Sequence, residues 1–92
     1  MLTMVKTITS TSSYSYTMAT GTNLYLVIAR SWAAVHTGAM VWLTGLITSD
    51  YGMAIPLTDT NSYAPTISIS GRVITIKSGV ESQLLCSIYK VL

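Results

Sequence analysis

A chain of 92 residues, half of them hydrophobic and only 9% charged, carries more apolar side chain than one small core can hold. Chains of this length bury about 60–65% of their unfolded surface, and typical soluble domains carry roughly 25% charged residues. The five Lys and Arg residues are scattered and the net charge is +2, which argues against nucleic-acid binding, since such surfaces cluster basic residues. A single cysteine, Cys86, excludes an intrachain disulfide and a cysteine-based metal site.

The polar residues are mainly Ser and Thr rather than Lys and Glu, and Val, Ile and Tyr are frequent. Branched and aromatic side chains suit the pleated surface of a β-sheet, so the composition favours strands. The apolar surplus needs lipid, another copy of the chain or a larger protein to cover it.

The first 13 residues, MLTMVKTITSTSS, are predicted to form an extended lead, and residues 14–92 one β-domain. The lead has no apolar run long enough for the central region of a signal peptide, so we expect no export leader. The domain begins with an alternating strand, Tyr14–Met18, which ends at a turn containing Gly21.

The apolar stretch Leu24–Ile47 is long enough for one membrane-spanning helix, which needs about 20 apolar residues. Both Arg30 and His36 would then lie within the membrane, and a central Arg costs roughly 2.5–3.5 kcal/mol on insertion scales. Turn residues flank the stretch on both sides. The sequence therefore favours two buried strands, Asn23–Trp32 and Ala39–Thr48, over a helix.

Both of these strands are apolar on their two faces, which is typical of strands covered on both sides. At every second position, Leu24, Leu26 and Ile28 share one face and Tyr25, Val27 and Ala29 share the other. We expect one face to fill the domain core and the other to meet a second subunit.

Four further strands follow the same reasoning from alternation and turn residues. Pro56 places its strand at a sheet edge, because proline lacks the N–H that a central ladder requires, and residues 58–65 form a loop rich in turn residues. The strands are Met53–Leu57, Thr66–Ser70, Val73–Lys77 and Gln83–Val91. About seven strands at near ten-residue spacing predict an all-β fold, a small antiparallel β-sandwich resembling a jelly roll.

Catalytic chemistry has few candidate residues in this chain. His36 is the sole histidine, and the three carboxylates, Asp50, Asp59 and Glu81, all fall in predicted turns. Neither a nucleophilic triad, nor a glycosidase pair, nor a metal site can be assembled from these positions at recognisable spacing. We therefore expect no catalytic residues, no metal, no cofactor and no enzymatic activity.

The closing residues, PTISISGRVITIKSGVESQLLCSIYKVL, resemble the C-terminal β-domain of phage tail-fibre and receptor-binding proteins. In those domains a hairpin of alternating Ile residues around a Gly turn is followed by a last strand. The upstream segments NLYLVIARSW and GAMVWLTGLI resemble the paired strands that precede it, so the similarity covers residues 22–92. It implies a sandwich at the tip of a homotrimeric fibre, in the virion tail, which contacts a host-surface receptor or caps the fibre.

The leading prediction is a non-enzymatic, self-associating adhesion or fibre-tip module, most simply a homotrimer, which contacts other virion proteins and a glycan or protein receptor on the host. Two alternatives remain: a structural virion protein, such as a capsid decoration or trimerisation cap without host binding, and a small single-span membrane protein. Predicted receptor contacts are the loop residues Tyr51, Asp59, Asn61 and Tyr63. Predicted subunit contacts are Tyr25, Trp42, Leu85 and Tyr89.

Overall fold

The computed structural model describes residues 2–32, 37–48, 51–58, 63–79 and 83–91, and these ranges contain eight β-strands and no helix. The strands are β1 (Thr3–Thr11), β2 (Ser13–Thr17), β3 (Asn23–Trp32), β4 (Thr37–Thr48), β5 (Tyr51–Pro56), β6 (Thr66–Ser70), β7 (Val73–Lys77) and β8 (Gln83–Lys90).

The strands form two antiparallel sheets that pack face to face. The five-stranded sheet has the order β1-β8-β3-β4-β5, and the three-stranded sheet has the order β2-β7-β6. The N-terminal strands β1 and β2 pair with the late strands β8 and β7, a long-range pairing of the kind that closes double-sheet jelly rolls. The predicted all-β sandwich is confirmed.

The long apolar stretch folds as two antiparallel strands. Asn23 pairs with Leu46 at one end of β3 and Trp32 pairs with Thr37 at the other, without a register shift between them. The membrane-helix interpretation of Leu24–Ile47 is therefore wrong. Within the described ranges, no helix has the length and apolar character that crossing a bilayer requires.

The segment predicted as an extended lead contributes an eighth strand. Most of it forms β1, which pairs with β8 at one edge of the five-stranded sheet. Register shifts between Met4 and Lys6 and between Ile8 and Thr11 interrupt this ladder. Irregular edges of this kind oppose pairing with further strands.

Two tight turns have glycine where the backbone requires it. Gly21, between β2 and β3, has a φ of 85°, and Gly71, between β6 and β7, has a φ of 58°. Both angles lie in the left-handed region, where a residue without Cβ meets no steric penalty. The predicted turn at Gly21 is thus confirmed, and Gly71 lies in the turn that joins the two predicted strands Thr66–Ser70 and Val73–Lys77.

The core lies between the two sheets and takes alternating side chains of β3, β4, β7 and β8, with partly buried side chains of β1, β2 and β6 packed against it. Tyr25 and Val27 of β3 and Ile74 of β7 are each 0–1% exposed. The ring of Tyr16 meets that of Tyr25 edge to face, with centroids 5.6 Å apart, which is a favoured aromatic geometry. Since the core occupies only the inner face of the five-stranded sheet, the outer face of that sheet is left at the surface.

Candidate interaction surface

Strand β3 shows how the outer face of the five-stranded sheet arises. Its side chains alternate between buried positions facing the core and more exposed positions facing outward. The outward members are Leu24, Leu26, Ile28, Arg30 and Trp32. This strand is therefore apolar on both faces, as the sequence predicted, but only one face contributes to the core of the chain.

Strand register aligns outward apolar side chains into a continuous row across the whole sheet. Met4 pairs with Tyr89, Tyr89 with Leu26, Leu26 with Leu43, and Leu43 with Ile55. Directly opposed residues in antiparallel strands point to the same side, with Cβ atoms about 4.5–5.5 Å apart. We call these five residues the apolar row.

The apolar row is exposed most strongly at its two ends, which lie on the edge strands β1 and β5. Met4 retains 54% of its accessible surface and Ile55 retains 45%, while the three central members are partly buried by their neighbours in the sheet. None of the five belongs to the hydrophobic core cluster or to the side chains packed against it.

The other end of the same face is concave and combines apolar with polar side chains. Arg30, Trp32, Gln83 and Leu85 line a groove of about 250 Å³. Trp32 stands opposite Gln83, and Arg30 stands opposite Leu85, across the β3–β8 pairing. Trp32 is 46% exposed, so a large part of the side chain is open to solvent beside a guanidinium group.

A second hollow of about 200 Å³ continues this groove toward β1. It shares Arg30 and Leu85 with the groove and extends to Thr7, Ile28 and Ser87. Together they form a shallow, mixed surface rather than an enclosed pocket.

The chemistry of the groove suits a ligand that has a flat apolar face and polar groups at its edge. An indole ring offers an apolar face to a ring or an aliphatic surface, and a guanidinium fork donates several hydrogen bonds to a carboxylate or hydroxyl. An amide such as that of Gln83 both donates and accepts. Among the described outward residues of this sheet, Arg30 alone is charged.

The predicted receptor residues are only partly placed by the structure. Asp59 and Asn61 lie outside the described residues, and so does the side chain of Tyr51. Tyr63 is described, is partly buried and lies in a turn before β6. These four positions stay predictions.

Tyr63 is held at the same end of the sandwich as the groove. A Cβ atom added to Gly38 would come within 2.6 Å of the Tyr63 carbonyl carbon, and one added to Gly79 would meet the Tyr63 carbonyl oxygen. Gly38 pairs with Ser31, whose hydroxyl accepts a 2.6 Å hydrogen bond from the Gly79 amide. Because Ser31 directly precedes Trp32, the groove and Tyr63 belong to one end of the domain.

The predicted subunit contacts fall on two different faces. Tyr25 and Trp42 are 1% and 3% exposed and lie in the core between the sheets, so they offer almost no surface to a second subunit. Leu85 and Tyr89 point outward from β8 and are partly exposed. An interface role stays a prediction for these last two.

Sequence reasoning did not select Arg30, Trp32 and Gln83 as a group. The alternation in β3 places Arg30 and Trp32 on one face, which is a local signal. Their partner Gln83 is about 50 positions away, and its place opposite Trp32 depends on the β3–β8 register, which no local pattern reveals.

Cys86 and the candidate metal ligands do not add reactive chemistry to this surface. Cys86 points into the core beneath the groove, where burial raises the pKa of its thiol to about 11, so the thiol is protonated near neutral pH. No group of three His, Cys, Asp or Glu side chains lies together in the part of the chain that the structure describes. His36, Asp50, Asp59 and Glu81 fall outside it.

No protein-family model and no curated protein matches the sequence. Among solved structures, the chain is similar to the tailspike protein of the Acinetobacter phage vB_ApiP_P1, with a TM-score of 0.52 and 13% sequence identity. The match covers 94% of this chain and 21% of the tailspike, so the chain spans about a fifth of the tailspike's length. At this identity the similarity establishes a shared fold.

Proposed function

We propose that this chain is a non-enzymatic module of a phage tail, which associates with copies of itself and contacts a receptor on the host surface. Its fold is shared with a segment of a phage tailspike protein. A function in adhesion rather than catalysis agrees with a sequence that has one histidine and three acidic residues. The proposed location is the virion tail.

The groove beside Trp32 is the observation that carries the receptor part of this proposal. A side chain as large and apolar as Trp is 46% exposed, and exposed aromatic and Arg residues are typical of binding surfaces. A host-surface glycan fits the groove, since its sugar rings have apolar faces for the indole and hydroxyl groups for Arg30 and Gln83.

The groove lies at one end of the sandwich, since Trp32 is the last residue of β3 and Leu24 lies near the opposite end of that strand. It therefore remains accessible when the Leu24 end contacts other virion protein.

The experiment is binding of the 92-residue chain to an array of bacterial surface glycans and to a panel of Gram-negative cells that includes Acinetobacter strains. We expect measurable binding that falls at least tenfold in Trp32→Ala. The matched control is Leu57→Ala, because Leu57 is 53% exposed but lies outside the groove. Tyr63→Ala tests whether the adjacent turn takes part.

A structural virion protein without host binding is the second candidate. The apolar row favours it, because such a surface is suited to contact with other protein rather than to sugar recognition. If the wild-type chain binds no glycan and no cell, the receptor proposal fails and the structural role is favoured. If Trp32→Ala and Leu57→Ala bind equally well, the receptor site lies elsewhere.

A further inference from the structure

A further row of outward side chains lies on each side of the apolar row. The polarity of these rows changes along the strands. Toward one end of β3 lie the outward positions Leu24, Gly45 and Met53, which are joined by the strand register. Toward the other end, Ser87, Ile28 and Val41 form a mixed row. The groove follows beyond it. The apolar row and the Leu24 row are thus continuous, and the mixed row lies between them and the groove, sharing Ile28 and Ser87 with the second hollow.

The area of these three rows fits the apolar centre of a contact with another folded chain. The apolar row has five positions and the row on each side of it has three. At spacings of about 4.8 Å between strands and about 6.7 Å between rows, these positions cover roughly 350 Å² in projection. That is within the range of the apolar patches that monomers usually expose, and it is a little less than half of the ~800 Å² that each partner buries in a standard interface. Side chains at the rim supply further area.

Charge favours another copy of this chain over a lipid surface. No Lys or Arg belongs to the apolar row or to the outward rows on either side of it, because Lys6 and Lys90 pair with the inward-facing Ile88 and Tyr25. Segments that lie on anionic membranes usually carry basic residues around their apolar face. Two copies would bring no like charges together at the row, and the whole chain carries a formal charge of only +2.

The shape of the surface also suits a copy of itself. A gently twisted sheet packs on another sheet about 10 Å away, with the two sets of side chains interdigitating. In a symmetric assembly the same residues recur on each subunit, so an apolar row meets an apolar row.

We infer that the apolar row, Met4, Tyr89, Leu26, Leu43 and Ile55, is the surface through which copies of this chain associate. This inference deepens the self-association part of the proposed function and rests on it. It assigns the groove beside Trp32 to the receptor and the opposite half of the face to the neighbouring subunit.

The test is the mass of the 92-residue chain in solution over about 1–100 µM, a range that resolves Kd values typical of moderate interfaces. Ile55→Lys places a charge at an exposed end of the row on an edge strand. The double variant Leu26→Thr with Leu43→Thr removes apolar surface at the centre and introduces β-branched residues, which favour strands. Ser68→Lys adds the same charge to an exposed strand position on the other sheet and is the control.

We expect the wild type to form a defined oligomer whose Kd rises at least tenfold in Ile55→Lys and in the double Thr variant. Far-ultraviolet circular dichroism should show unchanged strand content in both, and Ser68→Lys should associate like the wild type.

Three results would overturn the inference. If both row variants associate like the wild type, copies meet through another surface while self-association itself stands. A wild type that is monomeric over the whole range contradicts self-association as well. Monomeric wild type that binds phosphatidylcholine vesicles, with binding lost in Ile55→Lys, identifies lipid as the occupant. Glycan and cell binding by Trp32 variants is a separate readout and is unaffected by these outcomes.

Discussion

The outer faces of the two sheets have opposite chemistry although the sheets share one core. On the three-stranded sheet, Ser15 pairs with Thr75 and Thr75 with Ser68, so a polar row crosses that sheet where the apolar row crosses the other. The hydroxyl oxygens of Ser15 and Thr75 are 3.0 Å apart and hydrogen-bonded. Ser15 and Ser68 are both exposed.

This difference shows that the apolar row is not needed to make strands or to fill the core. Strands β2, β6 and β7 form with Ser and Thr on their outer face, while Ile74 and Ile76 fill the core from the inner face. Ser and Thr would serve equally well for folding on the outer face of the larger sheet. The apolar side chains there are therefore explained better by a partner than by the stability of a single subunit.

The largest expected effect is the loss of stability when buried side chains are truncated on the inner faces of the two sheets, which both contribute to the core. Ile76→Ala in the three-stranded sheet and Ile88→Ala in the five-stranded sheet each remove a side chain that is 0% exposed. Each should lower the free energy of unfolding by about 2–5 kcal/mol, through lost burial and a residual cavity. Urea unfolding measures both.

The matched control in each strand replaces the residue that directly precedes the buried isoleucine, since its side chain points outward. Ser87→Ala in β8 and Thr75→Ala in β7 should change the free energy of unfolding by less than about 1 kcal/mol. If Ile76→Ala lowered the free energy of unfolding by as little as Thr75→Ala, the three-stranded sheet would not contribute to the core. The two sheets would then not share one core.

The next effect is a loss of stability at alkaline pH, which originates in the inner face of β8. Burial raises the pKa of Cys86 in the folded chain to about 11 from an ordinary value of 9.0. Below pH 9 the thiol is protonated in both states and its contribution is complete. Between about pH 9 and pH 11 only the unfolded chain releases the proton, so stability falls, by on the order of 2 kcal/mol in total.

The pH dependence is measured by urea unfolding at pH 8 and at pH 11, with Cys86→Ala as the control. The variant starts from lower stability because it leaves a small cavity, but it lacks the thiol and should lose less on going to pH 11. Burial also raises the pKa of Tyr16, so part of the alkaline loss persists in both proteins. Equal losses in the two proteins would show that Cys86 is not protected in the folded chain.

The smallest expected effect comes from transferring the apolar pattern to the other sheet. Replacing Ser15, Thr75 and Ser68 together by Val creates an apolar row on the three-stranded sheet, since Val is nearly isosteric with Thr and favours strands. The triple variant should gain a second association surface and show a several-fold higher tendency to form larger species in sedimentation velocity. The control variant Ser15→Thr with Ser68→Thr leaves Thr75 unchanged, keeps the surface polar and should match the wild type.

If the triple Val variant gains no association, an exposed apolar row is not sufficient to make this fold associate. The apolar row of the five-stranded sheet would then need an explanation other than a partner.

The local patterns of the chain predicted much of the fold because strands and tight turns depend on neighbouring residues. The hairpin around Gly71 follows from alternating Ile residues and a glycine that adopts positive φ. The alternation in β3 separated the Tyr25 face from the Leu26 face correctly. Local reasoning missed β1, because its strand character depends on pairing with β8, nearly 80 positions away.

The candidate surface was less predictable than the fold. Alternation alone does not say which of two apolar faces is buried, so Tyr25 and Trp42 were assigned to a subunit contact although they lie in the core. Leu85 and Tyr89 lie on the outer face. The groove residues Trp32 and Gln83 come together only through the register of two distant strands.

The sequence by itself determined that the chain is a β-protein with more apolar surface than one core can hold, because composition and two-residue periodicity act locally. Only the tertiary structure decided which face of each strand is inside and which distant residues stand side by side. Sheet order and register depend on pairings between segments far apart in the chain, and a shift of one residue would exchange the two faces of a strand.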